Sequence, residues 1–135
     1  MPTDNAGARH VLTILAVADL GRAARFYREA FGWRQAVSAP AYVEFELAGG
    51  IRFGLYEGQG FARNTGQPPS PIAPGAISAT EIYLHVDDLA AAVALLERAG
   101  ARELSPRAAR DWGDEAAYFA DPDGNVLVVA KPCAA

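Results

Sequence analysis

The sequence predicts an α+β protein built from two βαβββ modules, and three observations carry that prediction. Val17-Ala18-Asp19-Leu20 opens one amphipathic stretch, and Val86-Asp87-Asp88-Leu89 opens another sixty-nine residues later. Each follows a run of alternating apolar residues of strand type. A stretch rich in Gly and Pro divides the two halves. A repeat of about half the chain is longer than the roughly 20 to 50 residues of solenoid units, so the two modules are expected to pair and bury a common face.

The elements follow in order. His10 to Val17 alternates, with Val11, Thr13, Leu15 and Val17 on one side and His10, Leu12, Ile14 and Ala16 on the other. Asp19 is the expected N-cap of a helix whose apolar residues, from Leu20 through Phe26, Tyr27 and Ala30 to Phe31, recur at helical spacing until Gly32. A short strand near Gln35–Val37 precedes strands at Tyr42–Leu47 and Ile51–Tyr56, joined by Ala48-Gly49-Gly50. From Glu57 to Thr80 no apolar period survives, so this reads as a linker that spans the modules or covers a binding site. Glu81–Val86 is then a strand, and Leu89, Ala92, Val93, Leu95, Leu96 and Ala99 form the apolar face of a second helix ended by Gly100. Strands near Ala116–Ala120 and Val126–Ala130 flank Asp121-Pro122-Asp123-Gly124, where Pro presets φ and Gly accepts a left-handed conformation. The expected organisation is one domain over residues 1–135, with module one at about 10–57, the linker at about 58–80 and module two at about 81–131.

Composition narrows the function classes. A net charge of −4 with pI near 5.1 argues against binding nucleic acid through its phosphates, which needs clustered basic residues. The single Lys, Lys131, against eleven Arg reads as a coding preference, since no contiguous Arg run marks an anion site. No apolar stretch reaches the ~18 residues of a membrane span, so no membrane partner is expected. The lone Cys133 excludes an intrachain disulfide and a CxxC site, and suits a reducing cytoplasm. Met1–Arg9 is polar, lacks the apolar core of a secretory signal and is expected to fray.

Residues 17–33, from Val17-Ala18-Asp19-Leu20 to Phe31-Gly32-Trp33, together with Trp112-Gly113 and Tyr118-Phe119-Ala120-Asp121-Pro122-Asp123-Gly124-Asn125, resemble the vicinal oxygen chelate superfamily. That group holds glyoxalase I, extradiol dioxygenases, fosfomycin-modifying enzymes and bleomycin-resistance proteins. The resemblance covers nearly the whole chain and speaks for fold more than for activity. It implies a curled mixed sheet with helices on its convex side and ligand in a concave cavity. Alternation then assigns to the helix side Val11, Leu15, Val17, Val43, Phe45, Leu47, Ile51, Phe53, Leu55, Ile82, Leu84, Val86, Phe119, Leu127 and Val129. The other face would carry Glu44, Glu46, Arg52, Tyr56, Glu81, Tyr83, His85 and Tyr118 among apolar Leu12, Ile14, Val126 and Val128.

The resemblance also implies where a metal would sit. Metal-dependent members place one ligand on the first and last strand of each module; counting from the Asp of each Val-x-Asp-Leu gives Leu12 and Glu81, counting from Asp121 gives Val128, and Gly54 is the matching place in module one. Three of these four cannot ligate, so no metal and no other cofactor is expected, with a displaced His10, Glu81 and His85 set as the alternative. Glu81 is a ligand anchor, a general base or a relic of the ancestral metal position; inside a cavity its charge would need a partner such as Arg52, Tyr83 or His85. Trp112 either caps the sheet edge or stacks on a planar or cationic ligand. The expected ligand-binding set is Arg52, Tyr56, Glu81, Tyr83, His85, Trp112 and Tyr118.

Two function classes follow. The first is a metal-free binder that sequesters an aromatic or cationic small molecule, similar to bleomycin-resistance proteins. The second is a lyase, isomerase or dioxygenase with relocated metal ligands or with Glu81 as general base. A regulatory interaction module is a third, and a homodimer is expected because cavities in the superfamily are often completed by a second chain.

Overall fold

A computed structural model describes residues 6–134. The expected frayed tail therefore lies partly outside the described residues, at 1–5; residues 6–9 are exposed and without regular secondary structure. Module one runs β1 (Leu12–Val17), α1 (Leu20–Phe31), β2 (Arg34–Ala39), β3 (Tyr42–Glu46) and β4 (Arg52–Glu57). An eight-residue helix, α2 (Gly58–Thr65), follows. Module two runs β5 (Glu81–His85), α3 (Leu89–Ala99), β6 (Arg102–Ala109), β7 (Asp114–Ala120) and β8 (Val126–Pro132).

The duplication is exact in topology. One sheet has the order β1-β4-β3-β2 and the other β5-β8-β7-β6, each with one parallel pair made by the strand before the helix. Each helix begins at an Asp, Asp19 or Asp88, whose side chain accepts the backbone N–H three residues on, at 3.0 Å in both. Each ends at a left-handed Gly, Gly32 or Gly100.

The helix-facing sides of both sheets drain into one apolar core. It joins Leu15, Val17, Val43, Phe45, Phe53 and Leu55 of the first sheet to Phe119, Leu127 and Val129 of the second, with Phe26, Tyr27 and Leu96 from the helices. Tyr27 is central: its ring contacts Phe26, Phe31, Trp33 and Phe53, and its hydroxyl donates to buried Asp121 at 2.5 Å. This bond ties α1 of module one to the β7–β8 turn of module two, and burial with the neighbouring carboxylate holds the Tyr27 pKa well above its ordinary value.

Four expectations are corrected. The two sheets share a core but are not hydrogen-bonded edge to edge, so within one chain they do not close into a single curled sheet. Val11 and Ile51 stand just outside their strands and are exposed, and Leu95 faces outward from α3. The linker contains α2, whose N-cap is Glu57. Its Gly60 is required by packing, because a Cβ there would lie 2.3 Å from the Tyr56 ring. Finally, β6 occupies a stretch in which no strand was read, because two register shifts and Pro106 interrupt its alternation.

Candidate functional site

The register defines the face of each sheet turned away from the helices. In module one it carries three rows: Leu12–Arg52–Glu46–Arg34, Ile14–Gly54–Glu44–Val37 and Ala16–Tyr56–Tyr42–Ala39. In module two the rows are Glu81–Val126–Ala120–Arg102, Tyr83–Val128–Tyr118–Ser105 and His85–Ala130–Ala116–Ala108. Gly54 pairs with the residue two beyond Leu12, and Val128 with the residue two beyond Glu81, so Gly54 and Val128 are equivalent positions.

On module one the polar groups satisfy one another. Glu44 accepts the Tyr42 hydroxyl at 2.6 Å on Oε1 and the Arg52 guanidinium at 2.7 Å on Oε2. Arg34 pairs with Glu46 and holds its carboxyl below the ordinary range. The Tyr42 ring packs on Tyr56 and overlies Gly54, where a Cβ would fall 2.3 Å from the Tyr42 hydroxyl oxygen. Partial burial and the hydrogen bond to Glu44 push the Tyr42 pKa far upward.

On module two the groups converge on Asp114, the first residue of β7 and two residues before the strand expected near Ala116–Ala120. Tyr83 donates its hydroxyl to Asp114 Oδ2 at 2.5 Å, and His85 Nε2 lies 3.2 Å from the same oxygen. Trp112 donates its indole N–H to the Tyr83 hydroxyl oxygen at 2.8 Å. Asp114 Oδ1 makes no hydrogen bond among the described residues. The Tyr83 hydrogen bond, with a smaller contribution from His85, lowers the Asp114 pKa; partial desolvation and Asp114 raise that of Tyr83. Trp112 and Tyr83 are 54% and 37% exposed, so this cluster presents an accessible aromatic wall around a carboxylate. Next to it the Tyr118 ring lies under the Arg110 guanidinium, 5.0 Å from centroid to Cζ. Arg110 Nη2 donates to Ser105 Oγ and to the Pro106 and Ala116 carbonyls, which holds the irregular part of β6 against β7.

The seven sequence-derived residues thus fall into separate groups. Arg52 and Tyr56 belong to the module-one network, Tyr83, His85 and Trp112 gather on Asp114, and Tyr118 lies beside them under Arg110. Glu81 stands exposed, without a hydrogen bond or ion pair among the described residues. Its candidate partners are engaged elsewhere: Arg52 with Glu44, Tyr83 and His85 with Asp114. The residues that sequence reasoning missed are Tyr42 and Asp114. Alternation could have found both, since Tyr42 is in phase with Glu44, and Asp114 with Ala116 and Tyr118.

The residues at the four metal positions do not fit an ion. Val128 is fully buried and apolar, Leu12 has no donor, and the space at Gly54 is filled by Tyr42. The displaced set is not assembled either: His10 bonds Thr13 at 2.9 Å, His85 bonds Asp114, and among the described residues no three His, Cys, Asp or Glu side chains are grouped to hold a metal. No helix among the described residues is long and apolar enough to cross a membrane.

Comparisons with known proteins agree with this architecture. The Glyoxalase-like domain family matches residues 12–130. A glyoxalase-related enzyme from Fulvimarina pelagi superposes with a TM-score of 0.81 at 25% identity, covering 91% of this chain and 87% of that one. A glyoxalase/bleomycin resistance protein/dioxygenase from Nocardioides gives 0.78 at 21% identity, covering 95% and 85%. Lactoylglutathione lyase from Agrobacterium tumefaciens gives 0.69 at 22% identity, covering 94% and 96%. No curated protein matches the sequence significantly. With two βαβββ modules and a family match that spans both, the chain belongs to the glyoxalase-like domain family of the vicinal oxygen chelate superfamily.

Proposed function

We propose that this chain is a metal-free, cytoplasmic small-molecule-binding protein whose ligand is a planar aromatic cation seated on module two. The observation that carries the reading is the Asp114 cluster. One carboxylate oxygen takes Tyr83 and His85, the other has no partner among the described residues, and two exposed rings stand beside it. An anionic acceptor within an aromatic wall favours a flat cation over a neutral isostere through charge pairing and cation–π attraction.

A homodimer is part of this reading. The two open faces of one chain share no hydrogen bond, ion pair or ring contact among the described residues, and the module-two face leaves the Trp112 and Tyr83 rings uncovered. A second copy that set its module-one face against this module-two face would complete an enclosed site. The superfamily's enzymatic chemistry is the alternative, with Glu81 as base or a displaced metal. It has less support, because among the described residues no side chain bonds that of Glu81 and no ligand set is assembled.

Isothermal titration with 1-methylquinolinium and with neutral quinoline at pH 7.5 tests the proposal. The cation is expected to bind roughly tenfold more tightly, and Trp112→Ala and Asp114→Asn should each remove roughly that factor. Equal binding of the two compounds would refute the charge reading. A stoichiometric divalent ion in protein purified without chelator would refute the metal-free one, and a monomer by light scattering at micromolar concentration would refute the shared site.

A further inference from the structure

The linker, which the proposed function leaves unused, roofs a cavity at the end of the molecule where the two modules meet. Residues 69–76 enclose about 470 Å³ against the end of β1, Arg22 of α1 and the Asp121–Gly124 turn. That volume falls within the ~300–1,000 Å³ typical of small-molecule sites. A neighbouring recess of about 280 Å³ extends from it toward Ala62 of α2 and shares Val17, Ala18, Gly58 and Pro69 with it.

The roof is tied down although it has no regular secondary structure. Gly124 has φ +92°, and a Cβ there would lie 2.8 Å from Ile72 Cγ2 and 3.0 Å from the Ala76 carbonyl oxygen, so the strap rests directly on the turn. Ser78 N–H donates to the Gly124 carbonyl at 2.9 Å, and Ser78 Oγ accepts the Val126 N–H at 3.3 Å. Arg102 Nη2 reaches the Gly75 and Ala76 carbonyls at 3.3 and 3.5 Å.

The cavity wall is apolar where Val17, Ile72, Pro71 and Pro74 meet, and its charged groups are unequally satisfied. Asp121 offers nothing to a ligand, because its two oxygens already accept from Tyr27, from Asn125 and from the turn's backbone N–H groups. Asp123 accepts the Ala18 N–H at 3.0 Å through Oδ1, while its Oδ2 is buried without a partner. Arg22 is half exposed and 3.7 Å from Asp123, beyond hydrogen-bond reach, and Arg102 touches only backbone carbonyls at long range. Two guanidinium groups with spare donors therefore border one apolar cavity. Guanidinium donors match planar oxyanions, and the apolar wall needs a carbon body to fill it.

We infer that the space beneath the linker is a second ligand site, distinct from the Asp114 cluster, for a small amphipathic carboxylate whose apolar body fills the cavity and whose head engages Arg22 and Arg102. The ligand would touch β1 and α1 from module one, the turn from module two and the strap between them. It would bind the native state only, so that Tm rises with the logarithm of its concentration once that exceeds the Kd.

The test is a titration of the full chain with 4-phenylbutyrate, 4-phenylbutan-1-ol and 4-phenylbutylamine, followed by backbone amide NMR shifts and thermal melting. Saturable shifts of Val17, Ala18, Arg22 and Gly124 by the carboxylate, with a rise in Tm, are expected. Arg22→Gln and Arg102→Gln should each weaken it roughly tenfold, and the alcohol should bind at least tenfold more weakly. Trp112→Ala should leave the affinity unchanged, which separates this site from the aromatic one whatever becomes of that proposal. Equal affinity of the alcohol or the amine as read at Val17, Ala18, Arg22 and Gly124, indifference of the carboxylate to both Arg substitutions, carboxylate shifts confined to β5 and β7, or no saturation at millimolar concentration would each overturn the inference.

Discussion

On module one the open face closes on itself, with Glu44 taking the Tyr42 hydroxyl on one oxygen and the Arg52 guanidinium on the other. On module two Asp114 takes Tyr83 and His85 on one oxygen and leaves the second without a partner among the described residues. The strand orders beneath are the same, but β7 runs on to Asp114, paired with Pro132, whereas the matching β3 ends at Tyr42. The helix-facing sides stayed alike because both fill one shared core, where a change of volume is felt at once. The open faces carry no such constraint, and one position shows the result. Where module one has Gly54, Tyr42 lies over the sheet; where module two has Val128, the equivalent space is filled and Tyr83 and Tyr118 flank it. Charge divides the same way. Module-one carboxylates face guanidinium groups, whereas Asp114 faces a hydroxyl and an imidazole.

The hairpin turns carry the same contrast and give the largest expected effect. The module-one turn, Ala48–Gly50, is exposed, and the open space around Gly50 leaves only its φ of +83° as a constraint. The module-two turn is tied to the other module through Asp121 and Tyr27. Asp121→Ala removes the acceptor of a buried hydroxyl and of the Asn125 N–H, and should cost about 3 kcal/mol or more. Gly50→Ala should cost only about 1 kcal/mol, from backbone strain. Urea denaturation of the two variants measures the difference; equal losses would mean that the turn does not join the modules.

A smaller effect is expected at Gly54. Gly54→Ala must displace the Tyr42 ring from the sheet, and should cost about 1–3 kcal/mol as overpacking does. In a Tyr42→Leu background the clash is relieved, so a double-mutant cycle should give a coupling of about 1 kcal/mol or more. Additive effects would show that Tyr42 does not fill the position at which metal-binding relatives carry a ligand.

What the sequence disclosed was whatever local pattern encodes. Asp19 and Asp88 as caps, Gly32 and Gly100 as stops, and the alternation of β1, β3, β4, β5 and β8 are short-range signals, and the structure uses them as read. The helix α2 was hidden because its start carries two glycines; it rests on the Glu57 cap and on Gly60 fitting beneath Tyr56, which is a tertiary contact. Strand β6 was hidden because its register shifts break the period that identifies a strand. The separation of the sheets was not legible at all, since edge pairing depends on packing between modules. At the site, alternation indicated which face Arg52, Tyr56, Tyr83, His85 and Tyr118 occupy but not which partner each takes. Asp114 was passed over because Gly113 marks a turn one residue before β7 begins.

The smallest expected effect separates the two faces by the origin of their carboxylate shifts. The Asp114 carboxyl is held below its ordinary 3.8 chiefly by the neutral Tyr83 hydroxyl, and that of Glu46 below 4.5 by the Arg34 guanidinium. For both, a depressed folded value means that the contribution to stability is present above the unfolded pKa and is lost as pH falls through the lower folded pKa. The relevant window is therefore acidic, beginning below about 4 for Asp114. Salt distinguishes the causes, because it screens a surface ion pair but not a hydrogen bond from a neutral hydroxyl. Carbon-detected NMR titration at low and high salt should show the Glu46 depression shrinking while that of Asp114 persists, and Tyr83→Phe should remove most of the Asp114 shift. If Asp114 relaxed with salt as Glu46 does, its carboxylate would be held by a charged His85, and module two would be the ion-paired kind of face that module one already is.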